Sequence, residues 1–239
     1  MGRAYEVRKA SIAKTGAIKA KLYSNFAKEI YLAAKSGIPE IESNIALKRI
    51  VDKAKKQQVP SDIINRAIEK AKGVGQEEYK EIMYEGFGPG ASTLMIKTLT
   101  DNVNRTVGFV RAAFNKVNKS LGVTNSVSYN YDHLAIISFK NEKADELFEA
   151  ILNEGIELVD FEQDDDYITI SANPADAHKV KDIIESILPN VDYEIDEIGY
   201  YAKDKVTLNE EDHQLFDRLY NLLDEIEDVT EIYLNVKMD

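Results

Sequence analysis

The sequence predicts an α+β protein of three domains: an N-terminal three-helix domain and two ferredoxin-like α/β domains, one inserted in the other. Three observations support this. Apolar residues recur at helical spacing through the first 72 residues, and alternation typical of strands begins after Gly75. Residues 134–199 follow the order β-α-β-β-α-β of ferredoxin-like domains. The expected boundaries are 1–76, 77–132 together with 204–239, and 133–203.

Local signals place the three N-terminal helices. Ile18 to Ala33 carry the apolar face of the first helix, which Gly37 and Pro39 end. Asn44 is an expected N-cap of the second helix. Pro60-Ser61-Asp62 opens the third. Three short helices joined by brief turns indicate a small bundle.

The next segment predicts strands at Tyr79–Phe87 and Ser92–Thr100, a helix over Asn102–Asn118 and a third strand at Ser126–Tyr131. The last 36 residues hold only one helix and one strand, too little for a domain. They would complete the β-β-α-β unit of residues 79–131. We therefore expect the ferredoxin-like segment to be an insertion.

Composition excludes several classes of protein. The chain has 239 residues and no Cys, which removes disulfides, thiolate zinc sites, iron–sulfur ligation and cysteine nucleophiles. No apolar run approaches the roughly 20 residues that span a bilayer, and the first residues lack the apolar stretch of a signal peptide. We expect a soluble, cytoplasmic protein with no membrane contact.

Charge is distributed unevenly along the chain. Residues 1–72 hold 16 Lys and Arg against 7 Asp and Glu, whereas residues 73–239 hold 14 against 35. A basic N-terminal region on an acidic remainder indicates contact with a polyanion. A lysine-rich solvated helical surface is the alternative.

The candidate nucleic-acid contacts are cations of the helical region, together with one arginine further along. Lys14, Lys21, Lys28 and Lys35 fall seven residues apart, so they would line one edge of a helix and neutralise successive phosphates. The candidates are Arg3, Arg8, Lys9, Lys14, Lys19, Lys21, Lys28, Lys53, Lys56, Arg66 and Arg105. Reversal of Arg8, Lys21 and Lys28 to Glu is expected to abolish nucleic-acid association with thermal stability nearly intact.

Arg105 lies in the first turn of its predicted helix, where the helix dipole disfavours a cation. It therefore needs a nearby anion, either a carboxylate such as Glu85 or a ligand phosphate. The run from Gly86 to Gly90 lacks the Lys-Ser/Thr ending of a P-loop and indicates a tight hairpin, on which an exposed Phe87 could stack on a base.

No motif indicates catalysis or metal binding. Asp164-Asp165-Asp166 reads as a solvated turn because it lacks calcium-loop spacing. His133, His178 and His213 are isolated. We expect no catalytic residue, no metal and no cofactor.

Several segments together resemble the YebC family, which also contains the mitochondrial translational activator of cytochrome oxidase. The segments are Asn44-x-x-Leu47, Val51-Asp52-Lys53-Ala54, Pro60-x-Asp62, Arg66-Ala67-Ile68, Tyr84-Glu85-Gly86-Phe87-Gly88-Pro89-Gly90 and Leu99-Thr100-Asp101-Asn102-x-Asn104-Arg105-Thr106-Val107. The chain has no early Trp, and in this respect it resembles the second, YeeN-like subgroup of the family.

The resemblance implies three domains and a non-enzymatic regulator of gene expression. Members are described as probable transcriptional regulators that bind DNA, whereas others look like ribosome-associated factors that relieve stalling at proline-rich stretches. The implied partner is nucleic acid, either DNA or ribosomal RNA and tRNA, with a monomer favoured. A small-molecule-sensing α/β regulatory module is the alternative, and a ligand that raises the melting temperature would support it.

Overall fold

The computed structural model describes residues 19–73 and 79–237, which contain seven α-helices and seven β-strands. The chain divides into two compact units. One contains Ser128–Lys205, and the other contains the described residues of Ala17–Val127 together with Val206–Val236. The division into three domains proposed from the sequence stays a prediction.

The N-terminal part of the larger unit is a three-helix bundle, as predicted. Its core is built from Phe26, Ile30, Leu47 and Val51 with their apolar neighbours. The Asn44 side chain accepts a hydrogen bond from the Leu47 N–H at 3.0 Å, so the predicted N-cap is confirmed. The helices are α1 (Lys19–Lys35), α2 (Ile45–Lys56) and α3 (Ser61–Lys72).

The rest of this unit is a three-stranded antiparallel sheet with two helices packed against it. The sheet order is β1 (Lys80–Phe87), β2 (Thr93–Thr100) and β7 (Val229–Leu234), so the C-terminal strand pairs with the second strand. Phe114 and Phe216, from the two helices, share a core with Leu94 of β2. The elements are β1 (Lys80–Phe87), β2 (Thr93–Thr100), α4 (Val103–Asn115), α7 (Glu210–Asp224) and β7 (Val229–Leu234).

The strand predicted at Ser126–Tyr131 is wrong. Ser128–Asn130 form a 3₁₀ turn, and the next strand begins at Tyr131. The buried carboxylate of Glu85 accepts hydrogen bonds from the backbone N–H groups of Asn125 and Val127, each at 2.8 Å. Because a side chain satisfies the backbone donor of Val127, this part of the predicted strand does not need a neighbouring strand as its partner.

The smaller unit has the predicted β-α-β-β-α-β order. Its four strands are antiparallel in the spatial order β4-β5-β3-β6, which is a ferredoxin-like arrangement. Ile137 and Phe139 of the central strand lie in its core with Leu147 and Val180 of the two helices. The elements are β3 (Tyr131–Lys140), α5 (Ala144–Asn153), β4 (Leu158–Asp164), β5 (Tyr167–Ala172), α6 (Ala177–Ile187) and β6 (Tyr193–Ala202).

None of the helices in residues 19–73 and 79–237 has the length and apolar character required to cross a bilayer.

Asp165 lies in the left-handed region, with φ of 54°, in the turn that joins β4 to β5. The acidic run is therefore a turn, as predicted.

Candidate nucleic-acid interface

Five of the predicted cations cannot be placed. The side chain of Lys19 at the start of α1 lies outside the described residues. The same holds for Arg3, Arg8, Lys9 and Lys14.

Two lysines of the predicted track contact carboxylates of the C-terminal region. The Lys21 ammonium lies 2.8 Å from Oδ1 of Asp224 and also donates to the backbone carbonyl of that residue, the last of α7. Lys28, two turns further along α1, donates to the Glu227 carbonyl at 3.2 Å and lies 3.5 Å from Oδ1 of Asp228. Only 11% of the Lys28 side chain is exposed. Lys21 thus holds α1 against the last residue of α7, and Lys28 holds it against the segment that follows α7.

Those contacts argue against the expectation that charge reversal would leave stability intact. A glutamate at position 21 or 28 would face Asp224 or Asp228 at short range. Like charges that close, in a partly buried setting, destabilise the folded state. Lys35, in contrast, is exposed at the end of α1 and bonds to the Tyr31 hydroxyl at 3.0 Å.

Arg105 forms an internal ion pair, one of the two predicted alternatives, but its partner is not Glu85. Its guanidinium donates to Oδ2 of Asp228 at 2.9 Å and to Oδ1 of Asp101 at 2.8 Å. The Asn102 side chain caps α4 by accepting from the Arg105 N–H at 3.1 Å. The two acids supply the anion that a cation in a first helical turn requires.

Asp228 is the centre of this cluster, and sequence reasoning missed it. It is 5% exposed and accepts from the hydroxyls of Thr106, at 2.7 Å, and Thr100, at 3.2 Å. Burial would raise the pKa of Asp228, but hydrogen bonds from Arg105 and Thr106 and the charge of Lys28 hold it below its ordinary value. The carboxylate therefore stays ionised and joins α1, the start of α4 and β2.

The glycine-rich run is a tight hairpin, as predicted. The Gly88 N–H donates to the Ser92 carbonyl at 2.9 Å, and Gly90 has φ of +59°. At Gly86, a Cβ atom would lie 2.4 Å from the Phe114 ring, so that glycine allows the close packing of β1 on α4. Phe87 is 46% exposed, as expected for a residue at the hairpin.

The second and third helices present the remaining predicted cations to solvent. Lys53 and Lys56 are exposed in the last turn of α2, with Lys55 between them. Lys53 also lies near the carboxyl group of Glu29, whose pKa burial raises. Arg66 is exposed on α3 and bonds to the Asp62 carboxylate one turn earlier. The structure thus brings Lys53 and Lys56 together on one exposed turn.

Comparison with known proteins supports the resemblance along the whole chain. Residues 3–74 match the TACO1/YebC protein N-terminal domain, and residues 79–236 match the TACO1/YebC second and third domain. The chain belongs to the TACO1/YebC family.

Curated TACO1/YebC relatives match the chain end to end. A protein of Hydrogenovibrio crunogenus is 42% identical over 100% of both chains. One of Acholeplasma laidlawii is 43% identical over 99% of this chain and 98% of its own. Both are named "Probable transcriptional regulatory protein".

A solved structure has the same fold. The conserved hypothetical protein Aq1575 of Aquifex aeolicus superimposes with a TM-score of 0.75 at 31% identity, over 94% of this chain and 93% of that one. The mixed α/β architecture with an N-terminal helical region is therefore that of the family.

Proposed function

We propose that this protein is a non-enzymatic, nucleic-acid-binding regulator of gene expression that works in the cytoplasm. The observation that carries the proposal is the full-length similarity to relatives named as transcriptional regulatory proteins. The exposed cations of the helical region supply the physical means, because lysine and arginine bind phosphates without reading sequence.

Within this proposal the cations have two kinds of role. The last turn of α2, with Lys53, Lys55 and Lys56, is exposed and would contact phosphates, and Arg66 would join them by exchanging its Asp62 partner. The basic residues up to position 19 would extend this contact: Arg3, Arg8, Lys9, Lys14 and Lys19. Lys21, Lys28 and Arg105 hold carboxylates within the chain, so each would reach a phosphate only by exchanging that partner.

Two targets follow from different observations. The names of the relatives favour DNA and transcription. The charge of residues 73–239, with 35 acidic and 14 basic side chains, favours a ribosome, because an acidic body repels naked duplex DNA. A basic end would instead dock on ribosomal RNA while the acidic remainder faces protein surfaces of mixed charge.

Sedimentation of cell lysate through sucrose gradients at low and moderate salt tests the proposal and separates the targets. Co-migration with ribosomes that is lost as salt rises would establish a factor held there by phosphate contacts. Migration at the top of the gradient, with retained binding to promoter DNA at matched salt, would establish the transcriptional role. Migration at the top without binding to DNA or RNA would overturn the proposal.

A further inference from the structure

The outer face of α4 is exposed along the whole helix. Two adjacent rows of side chains make up this face, and none of their members is buried. Residues three and four apart on a helix are neighbours, so each row is continuous along about 16 Å of helix. The first row is Arg105, Phe109, Ala112 and Lys116, and the second is Asn104, Gly108, Arg111 and Asn115.

This face carries the cations Arg111 and Lys116 in an acidic part of the sequence, whereas its third cation, Arg105, is paired with Asp101 and Asp228. Residues 102–131 contain two Arg, two Lys and not one Asp or Glu, in a chain with 42 acidic residues among 239. Arg111, Lys116 and Lys119 form no ion pair with any residue in the described part of the chain. Their charges are therefore available to an external anion.

The first row also carries an exposed aromatic ring. Phe109 is 54% exposed on the solvent side of α4, although its helix contributes Val110, Ala113 and Phe114 to the core on the other side. An exposed ring on the same helix as Arg111 and Lys116 is a surface on which an unpaired base can stack while neighbouring phosphates of the strand reach the cations.

Gly108, beside Phe109, has no role in packing against the described residues. A Cβ atom added there would have no heavy atom within 4 Å, and its φ is not in the left-handed region. Glycine inside a helix costs about 1 kcal/mol relative to alanine. This glycine therefore lowers helix stability without serving the packing of the described residues. The open space around it leaves room for a ligand to lie flat on the helix next to the Phe109 ring.

We propose that the outer face of α4 binds an unpaired segment of RNA, with one base stacked on Phe109, its sugar over Gly108, and phosphates on Arg111 and Lys116. The inference rests on the proposed function and names a second contact for it, on the α/β part of the larger unit. RNA is favoured over duplex DNA because loops offer unstacked bases, whereas a convex helix with a protruding ring cannot reach a base inside a duplex. The lower charge density of a single strand also suits an acidic protein.

The test is fluorescence anisotropy of the full chain with a labelled, unstructured 12-nucleotide RNA and with a DNA duplex of equal length. Phe109→Leu keeps the apolar area but removes the aromatic face, and we expect about tenfold weaker RNA binding. Phe109→Trp should bind within about twofold of the wild type, since it retains stacking. Phe148→Leu is the matched control: Phe148 lies on α5, is 39% exposed, contacts the Phe161 ring and should leave RNA binding unchanged when substituted.

Two further variants separate a binding role from a structural one. Gly108→Gln should raise the melting temperature, because glutamine is the better helix former, and yet weaken RNA binding by filling the open space at position 108. Arg111→Gln with Lys116→Gln should reduce the slope of log K against log salt by about 0.7 for each phosphate that is no longer neutralised.

The outcomes distinguish this inference from the proposed function. Unchanged RNA binding by Phe109→Leu, with a loss on substitution of the α2 lysines, would overturn the α4 site and leave the proposed function standing. Equal losses of RNA binding for the Leu and Trp variants would overturn stacking on an aromatic face as the reason for binding. Absence of binding to both RNA and DNA by the wild type would overturn the inference and the proposed function together.

Discussion

At the scale of single residues, Asp228 joins several elements of the larger unit. Its carboxylate is 5% exposed and accepts from Arg105, Thr106 and Thr100, with Lys28 nearby. Removal of a buried charge that several donors share leaves those donors without a partner, which costs more than the loss of one surface pair. We therefore expect substitution of Asp228 to lower the free energy of unfolding by more than the loss of one exposed ion pair does.

Asp228→Asn is predicted to lower the free energy of unfolding by about 2 kcal/mol at pH 7. Because the folded-state pKa of Asp228 is lowered, its stabilisation is fully present above the unfolded pKa of about 3.9 and is lost as the pH falls through the folded pKa. The difference between variant and wild type should hold from pH 7 to about 4.5 and shrink below about 4. Urea unfolding at each pH measures it.

Asp101→Asn is the matched control for that measurement. Asp101 pairs with the same guanidinium, at 2.8 Å, but 44% of its side chain is exposed. Exposed pairs contribute between 0 and about 1 kcal/mol, so the variant should differ little from the wild type. Equal losses for Asp101→Asn and Asp228→Asn would show that burial of Asp228 is not what makes it important.

At the scale of elements, the seven-residue spacing of lysines on α1 was predicted correctly as one edge of a helix, as far as the described residues go. The residues that this edge of α1 contacts could not be predicted. Asp224 and Asp228 lie about 200 positions away in the chain, and sequence periodicity gives no information about such distant partners. Arg105 shows the same limit: the helix dipole predicts that it needs an anion, but not that the anion is Asp228.

Local signals were predictive where the interaction is local. Asn44 caps its helix as predicted, by accepting a hydrogen bond from the N–H three residues later. Asn102 makes the same kind of contact with the Arg105 N–H. The strand expected at Ser126–Tyr131 is wrong because the carboxylate of Glu85, about forty residues earlier in the chain, accepts the hydrogen bond of the Val127 N–H, a distant contact that the local pattern does not reveal. The acid-free run over residues 102–131 was visible in the sequence, but only the structure shows which side of α4 is exposed.

Lys21→Gln combined with Lys28→Gln is predicted to lower the free energy of unfolding by about 1–2 kcal/mol. The reason is that the variant no longer forms the two partly buried ion pairs of α1 with Asp224 and Asp228. Nucleic-acid affinity per folded molecule should stay the same. Thermal melting and anisotropy at matched salt measure the two effects. Lys143→Gln, which removes an exposed pair with Glu146, should change neither quantity. A drop in affinity of the double variant without a drop in its stability would show that Lys21 and Lys28 bind nucleic acid rather than stabilise the fold.

At the scale of the whole molecule, basic residues are concentrated in the helical region and acidic residues in the remainder. We expect nucleic-acid binding to follow this distribution of charge. The basic helical region has exposed lysines at the end of α2, a helix C-terminus where cations are also favoured by the dipole. The remainder is acidic apart from the face of α4. A molecule of this kind would bind a polyanion by limited surfaces rather than wrap around it.

The most direct test of this account is nucleic-acid binding across a series of salt concentrations, with the wild type and a Lys53→Gln, Lys55→Gln, Lys56→Gln variant. The three lysines are exposed, so the variant should fold normally, which thermal melting checks. If they bind phosphates, the slope of log K against log salt should fall by about 2 for RNA, near 0.7 per phosphate. A wild type whose binding does not depend on salt, or a variant with the wild-type slope and affinity, would contradict a regulator held to nucleic acid by the helical region.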